Sequence, residues 1–430
     1  MGDDWTDITL GDFITFQRGF DLPKKDRTEG PYPVIASTGH VGTHNQAMVT
    51  GPGLVIGRSG SLGGGQYIDE DFWPLNTTLW VKDFNGNSPL FCYYFSKSID
   101  FTTFNVGSGV PTLNRNHIHP LPVHVPPLIE QRAIAHILGS LDDKIELNRR
   151  MNQTLEAMAR AIFKSWFVDF DPVWENVKRK GAKAQGRKED KNNSSASLRP
   201  GVPALPFHIL DLFPDSFEDS GLGETPKGWE IVPLPKIIDV NPKRTLKKGQ
   251  EAPYLEMKNM PENSPRALDW YDREFGSGVK FMRGDTLMAR ITPCLENGKG
   301  AYVDFLEDGE VGWGSTEYIV FRAKKPLPSV YSYFLSRTAD FRSHAIVNMT
   351  GSSGRQRVPA SIFKSYIVTK PSKRAARIFG TISEPFMEKI KKNDEEARTL
   401  ASLRDTLLPK LISGELRVPD AEKFLEKAGL

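Results

Sequence analysis

A chain of 430 residues with 39% apolar and 10% aromatic content has room for two or three packed cores and is too apolar to stay disordered. No apolar run approaches the roughly 18–20 residues of a membrane span, and the start, Met1-Gly2-Asp3-Asp4-Trp5, lacks the basic and apolar segments of a signal peptide, so a cytoplasmic protein is expected. The net charge of +3 hides an imbalance: residues 1–127 hold 8 basic and 12 acidic side chains and residues 229–371 hold 21 and 16, so bulk charge suggests an anionic partner only for the second stretch.

Residues 1–127 read as a domain of short strands and turns. Gly53-Leu54-Val55-Ile56-Gly57 is an apolar strand between glycines, followed by the glycine-rich loop Arg58–Gly65. Thr77–Val81 favours a strand through its β-branched and aromatic residues, Leu90–Ile99 a short helix, and Asn105–Pro111 a second polar glycine loop. Pro126-Pro127 closes the domain. Residues 128–170 are a long helix with Pro127 ahead of it and Glu130 in its first turn, halted before Pro172. Residues 171–228, with a basic run from Lys178 through Lys183, Arg187 and Lys188 to Lys191, read as a solvated linker.

At Trp229 the pattern restarts. Trp229–Leu234 echoes Trp5–Leu10, Gly284–Arg290 echoes Gly53–Arg58, Thr316–Val320 stands for Thr77–Val81, and Gly351-Ser352-Ser353 for Gly107-Ser108-Gly109. Residues 229–371 are therefore a second domain, 372–415 a second long helix, and 416–430 a tail. Both helices carry a seam in 4-3-4-3 steps: Leu141, Ile145, Asn148, Asn152, Leu155, Ala159, Ile162 and Trp166, then Phe386, Ile390, Asn393, Ala397, Leu400, Arg404, Leu407 and Leu411. The helix-pairing set is expected to be Leu141, Ile145, Asn148, Leu155, Ile162 and Trp166 with Phe386, Ile390, Asn393, Leu400, Leu407 and Leu411. The seam asparagines would fix register at a cost in stability. Pro385 predicts a kink or late start in the second helix. The expected fold is α+β: two globular domains joined by two long antiparallel helices, with internal pseudo-two-fold duplication.

Catalytic patterns are missing. The sequence has no complete phosphate loop, Asn297-Gly298-Lys299-Gly300 being a fragment, and no nucleophile elbow or dinucleotide fingerprint. Pro419–Lys423 only superficially resembles nuclease carboxylates, and Asp171-Pro172-Val173-Trp174 lacks the second proline of an adenine methyltransferase pocket. His117, His119 and His124 lack metal-ligand spacing, and Cys92 and Cys294 read as apolar fillers, so no metal site is expected.

Nucleic-acid binding fits better, because glycines allow backbone approach and arginine can read guanine edges or contact phosphates. The candidates are Arg58, Ser59, Asn105, Ser108 and Arg115 in the first domain. In the second they are Lys243, Arg244, Lys247, Lys248, Arg290, Thr292, Asn297, Lys299, Ser352, Ser353, Arg355 and Arg357. A protein-binding scaffold and a self-contained DNA methyltransferase are the competing readings.

Pro127–Ala135, Lys164-Ser165-Trp166-Phe167-Val168-Asp169-Phe170-Asp171-Pro172, Leu212–Phe217, Gly223–Trp229 and Leu407–Leu416 together resemble the specificity subunit of type I restriction–modification systems, over essentially the whole chain. That resemblance implies two target-recognition domains, each reading one half of a split double-stranded DNA target. It implies helices that dock two methyltransferase subunits, with ATP-driven restriction (endonuclease) subunits joining them. It also implies no cofactor on this chain: S-adenosylmethionine and ATP belong to the partners. Arg149, Arg150, Lys391 and Lys392 are candidate docking residues. The separation from Leu141 to Trp166, roughly 38 Å of helix, would set the half-site spacing.

Overall fold

The computed structural model describes residues 4–184, 195–196, 205–221, 223–352 and 354–427. They fall into two compact units, Met1–Leu147 with Glu396–Leu430, and Asn148–Glu395, so the boundary cuts both long helices near their middles. Each unit owns a core: Trp5, Leu10, Phe13, Phe91 and Leu138 with Leu407 and Leu411 in the first, Trp166, Phe163, Tyr331, Phe334 and Phe379 in the second.

The globular parts repeat one topology. In the first unit an antiparallel sheet orders Thr15–Arg18, Thr78–Asp83, Gly53–Gly57 and Gly63–Ile68. In the second, Ile238–Val240, Tyr318–Ala323, Thr286–Ala289 and Gly300–Tyr302 take the same order. A second sheet in each contains one parallel pair, Tyr32–Ala36 with Trp73–Pro74, and Glu251–Leu255 with Val311–Gly314. A terminal pair closes each domain, Thr6–Thr9 with Pro122–Val125 and Glu230–Pro233 with Ile367–Lys370, and a long helix follows directly. The central strands Gly53–Gly57 and Thr286–Ala289 are buried throughout, which is why they read as apolar runs rather than alternating strands.

Pairing corrects one expected match. Gly57 faces Thr78 and Ala289 faces Tyr318, so Glu317 stands for Thr77, and Thr316 falls one residue earlier. A one-residue slip reverses which face every side chain takes, and β-propensity alone does not fix register. The helix expected over Leu90–Ile99 runs Pro89–Lys97, with the Ser88 hydroxyl accepting from the Phe91 N–H at 3.5 Å.

The two long helices span Leu128–Phe167 and Lys373–Ile412. Gln131 anchors the first: its amide donates to the Pro126 carbonyl at 2.9 Å and the Asn87 side chain at 2.7 Å and accepts from the Ser88 N–H at 3.0 Å. Within each unit the helix halves pack antiparallel. Asp142 meets Arg404 and Lys144 meets Glu396 in the first; Asn152 meets Asp394 and Trp166 meets Phe379 in the second.

The late start expected at Pro385 does not occur, and helix continues through it. Pro385 is exposed, as is Thr381 one turn earlier, so the carbonyl deprived of its N–H partner can turn to water.

The stretch expected as a solvated linker is partly folded. Asp171–Ala184 is a helix, and Val173, Leu205, Leu210 and Phe213 join the second core. The Asn176 amide donates to the Leu210 and Phe213 carbonyls at 2.7 and 3.1 Å. Its charge run hides these apolar residues, which are too widely spaced to show a periodicity. Arg187, Lys188 and Lys191 lie outside the described residues.

Candidate nucleic-acid interface

The same backbone frame presents one arginine in each unit. The Arg58 N–H donates to the Thr77 carbonyl at 2.9 Å, and the Arg58 carbonyl accepts from the Leu113 N–H at 2.8 Å. In the second unit the Arg290 N–H donates to the Glu317 carbonyl at 2.9 Å, and its carbonyl accepts from the Val358 N–H at 2.9 Å. Each arginine thus leaves the end of a buried strand, pinned between the neighbouring strand and the polar glycine loop. Both loops close alike: the Val106 N–H donates to the Thr112 carbonyl and the Thr350 N–H to the Arg357 carbonyl, each at 2.9 Å.

In the first unit Arg58 and Arg115 come together around a cleft of about 840 Å³, which Gln17, Arg18, Asp21, Val106 and Asn114 also line. Among the described residues the Arg58 guanidinium donates only to the Asn76 carbonyl at 3.3 Å, and that of Arg115 only to the Phe16 carbonyl at 3.4 Å. Burial lowers the Arg58 pKa from its ordinary value, and the neighbouring Arg18 charge adds to the shift. Asn105 is committed to structure: its side-chain oxygen accepts from the Gly107 and Thr112 N–H groups at 2.9 Å. Ser59 is half-buried and bridges to Thr112, whereas Ser108 is exposed at the loop tip. Gly57 makes the turn into this loop possible, since a Cβ there would stand 1.9 Å from the Ser61 carbonyl oxygen.

In the second unit Arg290 and Arg357 share the corresponding place, but Glu317 neutralises Arg357 through a 2.8 Å bond. Among the described residues the Nε of Arg290 and the hydroxyl of Thr292 are buried without a partner. Asn297 donates to Glu262 at 3.3 Å and Lys299 to the Met257 carbonyl at 3.1 Å, so both amide and ammonium are engaged within the domain. Ser352 and Arg355 are exposed; Ser353 lies outside the described residues.

The expected cluster of Lys243, Arg244, Lys247 and Lys248 divides. Arg244 binds the buried Asp285 at 3.3 Å, alongside Arg322 at 2.6 Å. Asp285 precedes the strand that ends before Arg290, so this guanidinium is anchored roughly 15 Å, a strand length, from Arg290. Lys243, Lys247 and Lys248 remain exposed.

Along the helices Leu141, Asn148, Ile162, Trp166, Ile390, Asn393, Leu400, Leu407 and Leu411 are buried. Ile145, Leu155 and Phe386 are only partly so, and Met387 rather than Phe386 is buried at its turn. Arg404 reaches Asp142 at 2.5 Å and Asp405 at 2.7 Å. Asn152 donates to Asp394 at 2.7 Å and accepts from Asn393 at 2.8 Å. Asp394 also binds Arg266 at 2.8 Å; Arg266 is 3% exposed and holds Asp304 as well. Arg266 was missed because it sits in a proline-flanked loop with no periodic pattern. Arg18 was missed because it ends a short strand whose partners were not legible.

The remaining chemistry is structural. His119 accepts from the Phe16 N–H at 3.1 Å, with burial first and Arg115 second lowering its pKa. His124 pairs with Asp7 at 2.8 Å, and His117 is exposed. Cys92 is buried, which pushes its thiol pKa up, whereas Cys294 is only partly covered. Asp420 pairs with Lys423 at 3.8 Å in the C-terminal helix. Among the described residues no group of three or more potential ligands could hold a metal, and no helix is long and apolar enough to cross a membrane.

Residues 2–157 match the family model of the type I restriction modification DNA specificity domain. The chain is 25% identical to the type I restriction enzyme HindI specificity subunit of Haemophilus influenzae, over 96% of this chain and all of that one. It is 35% identical to the EcoEI specificity subunit of Escherichia coli over 39% of this chain and 29% of that one. The fold is that of the solved type I restriction–modification S subunit from M. genitalium, with a TM-score of 0.57, 16% identity, and coverage of 95% of this chain and 96% of that one.

Proposed function

We propose a division of labour for this chain, which belongs to the family of type I restriction–modification specificity subunits: each globular domain reads one half of a bipartite duplex DNA target, and the long helices dock the catalytic partners. Two methyltransferase subunits bind the helices and restriction subunits join them. Methyl transfer, ATP use and strand cleavage belong to those partners in the cytoplasm. The observation that carries this reading is the repeated frame holding Arg58 and Arg290 at matched strand ends beside matched polar loops. A chain built to bind one ligand would not need the frame twice.

Around this frame Ser59, Ser108 and Arg115, and Thr292, Ser352, Ser353, Arg355 and Arg357, are the groups proposed to meet DNA, with Lys243, Lys247 and Lys248 on phosphates. Asn105, Asn297, Lys299 and Arg244 act at one remove, holding loops and strand ends. On the helices Arg149, Arg150, Lys391 and Lys392 belong to the proposed docking face. The equal 40-residue lengths of the two helices support their role as the spacer between half-sites.

Mapping methylated adenines in cells that express the chain with its methyltransferase tests this directly. A bipartite motif is expected, and replacing residues 1–127 by another such domain should change one half only. A change in both halves, or no sequence preference, would overturn it. Removing one heptad from each helix should shorten the spacer, and an unchanged spacer would refute the ruler.

A further inference from the structure

The two candidate interfaces carry different local charge, opposite to what their bulk composition suggests. Around the first cleft stand Arg18, Arg58 and Arg115, and among the described residues none of them pairs with a carboxylate. Asp21, the acid that lines the same cleft, is engaged by the Asn76 amide. Elsewhere several of the chain's arginines are paired with carboxylates: Arg244 and Arg322 with Asp285, Arg266 with Asp304 and Asp394, Arg357 with Glu317, Arg404 with Asp142. Arg18 and Arg115 are exposed and Arg58 is half-buried, and the Arg18 charge acts against that of Arg58, so an anion bound between them would be favoured.

Strand pairing shows that the second unit lacks this arrangement. Phe16 faces Val81 and Val240 faces the equivalent Phe321, so the place of Arg18 is taken by Pro242. Leu113 and Val358 make equivalent bonds to Arg58 and Arg290, so the place of Arg115 is taken by Ala360. Of three arginines one remains, Arg290, and Glu317 has entered opposite it where the first unit has Thr77.

The number of guanidiniums decides what the cleft binds. One base edge occupies one bidentate arginine, whereas adjoining phosphates along a duplex strand offer several charged oxygens at close spacing. The loop beside Arg58 also has Gly60 and Gly64 in the left-handed region, so its backbone can approach a ligand without a side chain intervening. We infer that the Arg18–Arg58–Arg115 cleft is a phosphodiester anchor for the DNA backbone, that Arg18 is one of its phosphate-contacting residues, and that the matching place of the second unit has no such anchor. This rests on the proposal that the first domain reads DNA.

The test uses the chain assembled with its methyltransferase subunits, carrying Arg18→Gln, Arg115→Gln or both. Binding to a random-sequence duplex is followed as salt is varied, and the target is read from methylated adenines. Each substitution should lower the slope of log affinity against log salt by about 0.9 and weaken binding roughly 5–10-fold at 0.1 M salt, with the methylated motif unchanged. Arg18→Lys, which keeps the charge, should restore most of the slope; an equal loss with Lys and Gln would show a structural effect and overturn the inference. A changed base in the motif at constant slope would make Arg18 a base reader instead, and unchanged binding would remove the cleft from the interface. Failure of the unsubstituted complex to bind DNA at all would overturn the proposed function itself.

Discussion

The two units share strand order, parallel pairs, terminal strand pairs and the frame around Arg58 and Arg290, yet they stabilise their helix halves by different means. In the first unit a polar contact between helices, Arg404 with Asp142, is partly solvated, with side chains 23% and 28% exposed. In the second, Arg266 leaves the globular domain, is only 3% exposed, and grips Asp304 together with Asp394 of the helix, which in turn holds Asn152 and through it Asn393. One unit therefore tolerates a helix contact that water can share. The other has sealed its contact, so that each member depends on the rest.

The largest expected effect breaks this difference. Arg266→Met leaves the buried Asp304 and the partly buried Asp394 without their cation and should cost the second unit about 3–5 kcal/mol, read by denaturant unfolding or by proteolysis confined to residues 148–395. Arg404→Met should cost about 1 kcal/mol or less, and comparable losses would refute the distinction. Burial pushes the Asp304 and Asp394 carboxyls above the usual carboxylate range while Arg266 opposes it. A raised folded-state pKa means stability is lost as pH rises through it. The Arg266→Met penalty should therefore shrink on acidification, whereas one that grew would contradict the burial argument.

Next in size is Gly57→Ala. The second unit has Ala289 at this place, but a Cβ on Gly57 would run into the Ser61 carbonyl oxygen. The expected cost is about 1–3 kcal/mol in the first unit, with weakened DNA binding because the arginine loop shifts. Ala289→Gly should cost only about 0.5–1 kcal/mol, and a Gly57→Ala variant of undiminished stability would show that the two loops are interchangeable.

The smallest effect sharpens the comparison through pH. The folded-state pKa of His119 is lowered, so its contribution is present above the ordinary histidine range and lost as pH falls through it. The first unit should lose stability between about pH 7 and pH 5 more steeply with His119 than with His119→Gln. Equal slopes would mean that the Phe16 N–H bond does not hold the ring neutral.

Much of the plan was legible in the sequence because it repeats. Trp5 and Trp229, Arg58 and Arg290, and the glycine loops recur in the same order, and recurrence marks a scaffold even where single residues say little. The seam was legible because helical packing imposes a fixed period, and Leu400, Leu407 and Leu411 obey it. The helix Asp171–Ala184 was masked by charge. Register was not legible either: Thr316 and Glu317 both suit a strand, and only pairing to Ala289 shows which of them stands where Thr77 does.

By itself the sequence determined that two similar α+β domains alternate with two long helices, that its enzyme motifs are incomplete, and that two glycine-bordered arginines occupy matched places. These properties follow from local patterns, which depend on chain order alone. Tertiary structure decided what charge means at each place. It brought Arg18 to Arg58 and Arg115 with no carboxylate paired to them among the described residues, gave Glu317 to Arg357 and Asp285 to Arg244, and buried Arg266 against two aspartates. An arginine's role depends on the groups within a few ångströms of it, and those groups come from chain segments tens to more than a hundred residues away.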